Sequence, residues 1–348
     1  MLATCPDAIP TDIAAAFFCP LVPQPSRRSI MVKETVLVTG GCGFVGLRLI
    51  AALKTAGHSV RVLDIHRADF DKVEALGAKS FKGSVADGES VREALDNSKV
   101  VYHMVAPPLA IEDDGYIRRM VVAGAEVVME EAEDSKVEHV VTASTTGVYA
   151  KADGVQDESA TLKPRNRLER AKLDMERSLR RDADRYEIGV TCLRLGNVYG
   201  AGDGGIVDRL APEVALGSVT MPGEGWINTV HVDDVVDAAR RLAALARSDK
   251  EEDSDDLFRV FNCTDGAPNT PHQLIEVITK AEDAPFPEVR KPGLMGGAKG
   301  FWANRSRSVR FVESGRYTNE ALRALLPDWP AFPTLAEGLP GELEKVRG

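Results

Sequence analysis

Several things are scarce in this chain of 348 residues. Its five cysteines, Cys5, Cys19, Cys42, Cys192 and Cys263, form no C-x-x-C pair. A disulfide framework is not expected, and a reduced, cytoplasmic setting suits the chain better. Its six histidines are equally scattered, so no metal site is predicted. Basic residues are outnumbered, 43 Lys+Arg against 53 Asp+Glu, and the net charge of −10 argues against a nucleic-acid partner. No apolar run approaches the roughly 20 residues that cross a bilayer. The longest early one, Ile13 to Cys19, is far shorter, so no membrane partner is expected. Against these absences, an apolar fraction of 44% is ample for a buried core.

Residues 1–31 stand apart. Pro6, Pro10, Pro20, Pro23 and Pro25 interrupt regular structure, and Met31 directly precedes the first strand-like run. The segment reads as a disordered tail or a start assigned too early. An organellar import sequence is the other reading, against which Asp7 and Asp12 count.

The informative part begins with TVLVT, Thr35 to Thr39, a β-branched run suited to a buried parallel strand. The turn Gly40-Gly41-Cys42-Gly43 follows, then a helical apolar spacing from Phe44 to Gly57 and a second strand from Ser59 to Leu63. Strand, glycine turn and helix make a dinucleotide-binding unit. Gly40 permits a sharp turn, Gly43 a close approach by a pyrophosphate, and Gly46 tight packing of the helix on the sheet. The helix start, at Phe44 and Val45, offers free N–H groups to phosphate. Asp64 lies eighteen residues past Gly46, where an acid can bind a ribose 2′-hydroxyl. That acid favours NAD, while Arg67 nearby keeps NADP open.

Strand and helix then alternate. Strands are expected at Lys79 to Lys82, Lys99 to Met104, Val137 to Thr142 and Ile188 to Leu193. Helices are expected at Gly88 to Leu95, Gly115 to Asp134 and Arg167 to Asp182. The fold class is therefore α/β, a doubly wound parallel sheet (Rossmann), with a smaller C-terminal α/β substrate lobe. The expected division is 32–195 for the cofactor-binding part and 196–348 for the substrate lobe, the two partly interleaved. The apolar stripe on the long helix is explained first by core packing; a homodimer through the long helices is the alternative. Sites in such sheets lie at the carboxyl ends of the strands. This gathers Ala106-Pro107, Ser144-Thr145-Thr146 and Gly196-Asn197 around one cleft.

At this point the motifs resemble the extended short-chain dehydrogenase/reductases. That family includes NAD-dependent epimerases and dehydratases and 3β-hydroxysteroid dehydrogenase-like reductases. The resemblance spans about residues 32 to 340. VLVTGGCGFVG (36–46) resembles the family's glycine loop, VVYHMVA (100–106) the segment under the cofactor, and VTASTTGVY (141–149) the serine-containing strand end. RLGNVYGAGD (194–203) resembles its RPxNVYGPGD turn, and GEGWINTVHVDDVV (223–236) its substrate-lobe strand and helix. The resemblance implies an NAD(P) site built from Gly40, Gly43, Phe44, Val45, Gly46, Asp64, Asp87, Val105, Ala106 and Lys172. It implies a catalytic set of Thr145, Ser144 and Lys172, a substrate contact at Asn197, and a small-molecule substrate.

One expected residue is missing. The family's general acid is a tyrosine four positions before the lysine. Lys172, in AKLDME, matches the lysine, but position 168 is Leu168, and no tyrosine occurs between Ala150 and Arg185. Leucine has no proton to give. Arg165, Arg167, Glu169, Thr145 or water are the candidate substitutes. The family's helix asparagine falls at Val121. The arginine that clamps a nucleotide-sugar phosphate falls at Ile227 or Asn228. The expectation is therefore an oxidoreductase acting on a hydroxyl or carbonyl of a small or sterol-like molecule through an altered proton relay. A nucleotide-sugar epimerase or dehydratase and a catalytically silent dinucleotide sensor are the alternatives. His231 is expected to be structural and Asp233 an N-cap. The acidic run Ser248 to Asp256 reads as a solvated loop, and the basic stretch Lys291 to Arg310, with Arg305 and Arg307, as a loop or lid.

Overall fold

The computed structural model describes residues 33–107, 111–221, 224–248, 256–290 and 315–347. The N-terminal stretch, most of the acidic run and the basic lid segment with Arg305 and Arg307 lie outside the described residues. Seven parallel strands form one sheet: β1 (Thr35–Thr39), β2 (Ser59–Asp64), β3 (Lys79–Lys82), β4 (Ser98–His103), β5 (His139–Thr145), β7 (Gly189–Leu195) and β11 (Phe258–Cys263). Their order is β11-β7-β5-β4-β1-β2-β3. The order reverses between β1 and β4, which opens a crevice at the carboxyl ends of those two strands.

Helices cover both faces because the strands are apolar on both sides. One face packs against α1 (Phe44–Thr55) and α8 (Val232–Ser248). The other packs against α3 (Gly88–Leu95), α5 (Gly124–Asp134) and α6 (Arg167–Tyr186). A short helix, α2 (Asp71–Ala75), precedes β3. The helix expected from Gly115 to Asp134 is present but interrupted. It runs as α4 (Asp114–Arg118), a π turn over Arg119–Ala123, and α5. A π turn inserts a residue and shifts every later side chain around the axis, which periodicity in the sequence does not register.

Beyond β7 the chain makes a smaller unit around a second apolar cluster that includes Ile206, Leu210, Ile275 and Leu339. It holds α7 (Ala211–Ala215), α9 (Pro271–Ala281) and the terminal helix Leu335–Arg347. Three two-stranded parallel pairs accompany it: β8 (Asn197–Tyr199) with β10 (Thr229–His231), β9 (Ser218–Thr220) with β12 (Glu288–Arg290), and β6 (Val155–Gln156) with β13 (Arg316–Tyr317). The halves interlock, since β11 returns from this region to the edge of the main sheet beside β7.

A buried ion pair sets the position of α6. The Arg194 guanidinium donates to both oxygens of Glu176, the shorter contact being 2.7 Å, and each side chain is about 5% exposed or less. Ser144 Oγ donates to the same carboxylate at 2.5 Å. Arg194 also donates to Tyr149 Oη at 2.8 Å, and Tyr149 in turn donates to Asn262 at 2.6 Å. Burial tends to lower the Arg194 pKa, but the hydrogen bonds and charge of Glu176 outweigh it and raise the pKa overall. Removing one partner strands the other charge in the core. Glu176→Ala is therefore expected to cost about 3–5 kcal/mol, read as a lower denaturation midpoint in urea.

Candidate cofactor and catalytic site

The glycine turn between β1 and α1 meets the end of β4. Gly40 has φ +72°, and a Cβ there would lie 3.0 Å from the Met104 carbonyl and Val105 Cα. Gly46 has no more room, since its Cβ would stand 2.5 Å from the Gly40 oxygen and 2.6 Å from Gly41 Cα. Gly43 differs. It is exposed, and a Cβ would meet only the Gly40 oxygen, at 3.2 Å. Gly43 caps α1 without any side-chain hydrogen bond, and the first turn, from Phe44 and Val45, contains no acid. The exposed glycine and uncapped helix start fit a pyrophosphate. The Phe44 ring packs against the turn at Gly200 and Gly202.

Asp64 stands at the end of β2, half-buried. Its two oxygens accept the N–H groups of Cys42, at 2.9 Å, and Ile65, at 2.8 Å. The carboxylate thus ties the glycine loop to β2. Burial, followed by the Asp64 charge, pushes the Cys42 thiol up to about 12, so this cysteine stays protonated. Asp87 is exposed and caps α3 through Ser90 N, at 3.1 Å.

Lys172 is 5% exposed, and its Nζ donates to the carbonyls of Ala143, at 2.6 Å, and Val105, at 3.2 Å. These lie at the carboxyl end of β5 and just beyond that of its neighbour β4, on one side of the crevice. An ammonium has three N–H groups, so one remains for a bound ribose or substrate. Burial is the main cause that lowers the Lys172 pKa, to about 8. Ala106 is exposed beside this clamp, and the Val105 side chain is buried.

The paired hydroxyls of the strand end separate. Side chains alternate across a strand, so Ser144 faces the Glu176–Arg194 pair and is buried, while Thr145 is half-buried on the other side. Ser144 therefore serves the core; the catalytic role expected for it is corrected, because its proton is already committed to Glu176. Thr145 Oγ1 accepts the Gly147 N–H at 3.1 Å, which leaves its own proton free to donate. Leu168 sits one turn before Lys172 on α6 and packs against the edge of the apolar cluster.

The proposed substitutes for tyrosine are mostly engaged. Glu169 accepts the N–H groups of Arg165 and Asn166 in a capping box at the start of α6. It also pairs with the Arg165 guanidinium at 3.2 Å. Arg167 donates to the Glu112 carbonyl. Val121 is fully buried within the π turn. His103, which the sequence reading did not single out, lies beneath the crevice with Nδ1 against Thr39 Oγ1 at 2.9 Å. Burial, then the Lys172 charge, lowers its pKa to about 3, which keeps it neutral.

On the substrate side, Asn197 Nδ2 donates to the Asn228 carbonyl at 3.1 Å and so helps join β8 to β10. Ile227 is fully buried, and Asn228 Nδ2 donates to the Gly315 carbonyl. His231, Asp233 and Glu342 bring ligand-type atoms within 4.8 Å of one another. Arg48 pairs with Asp233 and Glu342, and Lys345 with Glu342, so the acids are already neutralised. Asp233, expected as an N-cap, lies inside the first turn of α8 and faces Arg48. A cavity of about 500 Å³ between α6 and β11 runs along the sheet edge, away from the glycine loop.

Two measurements test this geometry. Gly43→Ala should leave thermal stability nearly unchanged yet weaken NAD binding at least about tenfold, ~1.4 kcal/mol. Gly46→Ala should lower stability as well. Lys172 also carries a pH signature. Its folded pKa is depressed, so between about pH 8 and the unfolded value of 10.5 the unfolded chain binds more protons. Its contribution to stability is therefore full above that window and is lost as pH falls through it. The stability difference between the parent and Lys172→Met, followed by urea unfolding, should shift in the parent's favour as pH rises through the window.

The NAD dependent epimerase/dehydratase family model matches residues 36–262. A ketoreductase of Stigmatella aurantiaca, which acts on a 4-hydroxy-2-methyl-3-oxo-4-farnesyl-3,4-dihydroquinoline-1-oxide, is 35% identical over 113 residues, 32% of this chain and 34% of that protein. The chain thus spans about a third of that relative. The mouse sterol-4-alpha-carboxylate 3-dehydrogenase (decarboxylating) is 25% identical over 57% of this chain and 56% of its own length. Among solved structures, Thermus thermophilus UDP-glucose 4-epimerase in complex with NAD superposes with a TM-score of 0.71 and 25% identity, covering 90% of this chain and 99% of that one. With the model match spanning well over half its length, the chain belongs to the NAD-dependent epimerase/dehydratase family, within the extended short-chain dehydrogenase/reductases.

Proposed function

We propose that the chain is an NAD(P)-dependent oxidoreductase that interconverts a hydroxyl and a carbonyl on a small or sterol-like molecule, with Lys172 supplying the proton in place of tyrosine. The observation that carries this reading is the state of Lys172: a buried ammonium at the strand ends, lowered to about 8, with one N–H uncommitted. A general acid works best when its pKa is near the working pH. The other candidates around it, Arg165, Arg167 and Glu169, are held in contacts of their own.

Bound in the crevice, the nicotinamide would supply or accept the hydride. In the reducing direction Thr145 donates a hydrogen bond to the substrate carbonyl oxygen and Lys172 delivers the proton to that oxygen. The neutral amine then regains a proton from solvent. The same groups run in reverse for oxidation. Leu168 presents an apolar wall where the family's acid stands. Buried Ile227, in place of a charged phosphate clamp, supports a substrate without a nucleotide diphosphate. The ketoreductase and sterol dehydrogenase relatives support the same class.

The test is NADH turnover with a panel of hydrophobic ketones. Carbonyl reduction should fall above about pH 8 as Lys172 loses its proton, and alcohol oxidation should rise through the same range. Lys172→Arg keeps the charge but not the transferable proton. It should cost roughly 100-fold or more in rate while NADH still stabilises the protein. If the parent binds NADH without turnover and Leu168→Tyr creates turnover, the chain is a silent dinucleotide binder. If purified protein retains NAD through gel filtration and ignores ketones, the epimerase reading replaces this one.

A further inference from the structure

The 500 Å³ cavity between α6 and β11 lies along the sheet edge, apart from the glycine loop, and its walls are of two kinds. Leu162, Leu173 and Val260 give it apolar sides, and its floor is the buried pair Glu176–Arg194, whose charges cancel. Toward solvent stand three guanidiniums, Arg177 and Arg180 three residues apart on α6 and Arg259 on β11. In a chain of net charge −10 this is a local excess of positive charge. These cations are loosely held. Arg177 lies 3.5 Å from Asp174 and Arg180 lies 3.7 Å from Asp256, both longer than a good hydrogen bond, and both guanidiniums are more than half exposed. Surface pairs of this kind contribute little and exchange partners readily. Arg259 makes no hydrogen bond or ion pair with a described residue.

The edge of β11 decides what kind of ligand fits. The Val190 N–H donates to the Leu257 carbonyl and the Gly196 N–H to the Cys263 carbonyl, so the odd-numbered residues of β11 face β7. Phe258, Val260 and Asn262 therefore turn their amides outward. Two of the three are closed by carboxylates of the same cavity. Asp256 accepts the Phe258 N–H at 3.1 Å, and Glu158 accepts the Asn262 N–H at 2.7 Å. Between them, the Val260 N–H meets no acceptor among the described residues. An added peptide strand draws its affinity from a row of free main-chain groups, and this edge has one free donor. A single anionic head can use that donor, with the guanidiniums beside it.

We propose that this cavity binds an anionic amphiphile, a carboxylate on an apolar chain. Its head is held by Arg177, Arg259 and the Val260 N–H, and its chain lies against Leu162 and Leu173. Guanidiniums suit a carboxylate because their paired, planar donors match its two oxygens. The volume falls within the ~300–1,000 Å³ of small-ligand sites. The inference is independent of the cofactor and of the hydroxyl–carbonyl reading.

Four probes are titrated calorimetrically into the full chain. They are decanoate, decyltrimethylammonium with the same chain and the opposite charge, acetate with the head alone, and an acetylated pentapeptide alternating glutamate and valine. Decanoate should bind at least about tenfold more tightly than each of the others. Arg177→Ala and Arg259→Ala should each weaken it at least about fivefold, with the urea midpoint nearly unchanged, as for most surface substitutions. Asp256→Asn keeps an acceptor for the Phe258 N–H but removes the charge beside Arg180. It should tighten decanoate about twofold or more, a gain that damaged folding cannot produce. Equal binding of decanoate and decyltrimethylammonium overturns the proposal, as does an Asp256→Asn affinity that is unchanged or lower. Decanoate affinity that survives both arginine substitutions overturns it too, since the molecule then sits elsewhere. Tighter binding of the pentapeptide overturns it in favour of strand addition to β11.

Discussion

The Arg194–Glu176 pair is the interaction on which the rest of the site is hung. It joins β7 to α6, draws in Ser144 from β5, and reaches Asn262 on β11 through Tyr149. One buried network therefore touches three neighbouring strands, the helix above them and the chain returning from the C-terminal half. Its consequence for chemistry lies one helical turn away. Lys172 precedes Glu176 by four residues, on the same face of α6. Anchoring Glu176 sets the depth at which the lysine enters the strand ends, and that depth produces its two carbonyl contacts and its lowered pKa. The pair's value is positional, because a buried ion pair contributes little net stability over an apolar substitute.

The other anchor is steric. Gly40 and Gly46 bring the loop and α1 against backbone so closely that a side chain at either would collide with it, and Gly41 leaves room for the Val62 and Ile50 side chains. Arg48, one turn beyond Phe44, then ties α1 to Asp233 and to Glu342 of the terminal helix. Hydrogen bonds from His231, Lys345 and the Ala201 amide, with the Arg48 charge, overcome burial and hold the Glu342 pKa low. Helix α1 is thus braced by the terminal helix, and the glycine-loop half and the C-terminal half share one framework.

Much of this was legible in the sequence. β-branched runs marked the parallel strands because strands covered on both faces are apolar throughout. The glycine spacing marked the loop because only glycine satisfies such close approach. Leu168 was visible as a missing acid because the resemblance to the extended short-chain dehydrogenase/reductases implies a tyrosine four positions before the lysine, one turn earlier on the same helix face. Less legible were partnerships made across the fold. Ser144 and Thr145 are neighbours of nearly equal chemistry, and only the pleat of β5 sends one to the core and the other toward the crevice. Asp233 had the composition of a cap, yet Arg48, distant in sequence, claims its charge. The π turn left no mark on the apolar periodicity that predicted one unbroken helix.

The sequence by itself determined the fold class, the close-packed glycine turn and the leucine one turn before Lys172, since each depends on residue type at short spacing. Tertiary structure alone decided what the charged groups do. Asp64 is bound by two backbone amides, and Lys172 is desolvated between two strand ends. Charge in a sequence is only a count. Its effect depends on burial and on partners that lie tens to hundreds of residues away, and those exist only once the chain has folded.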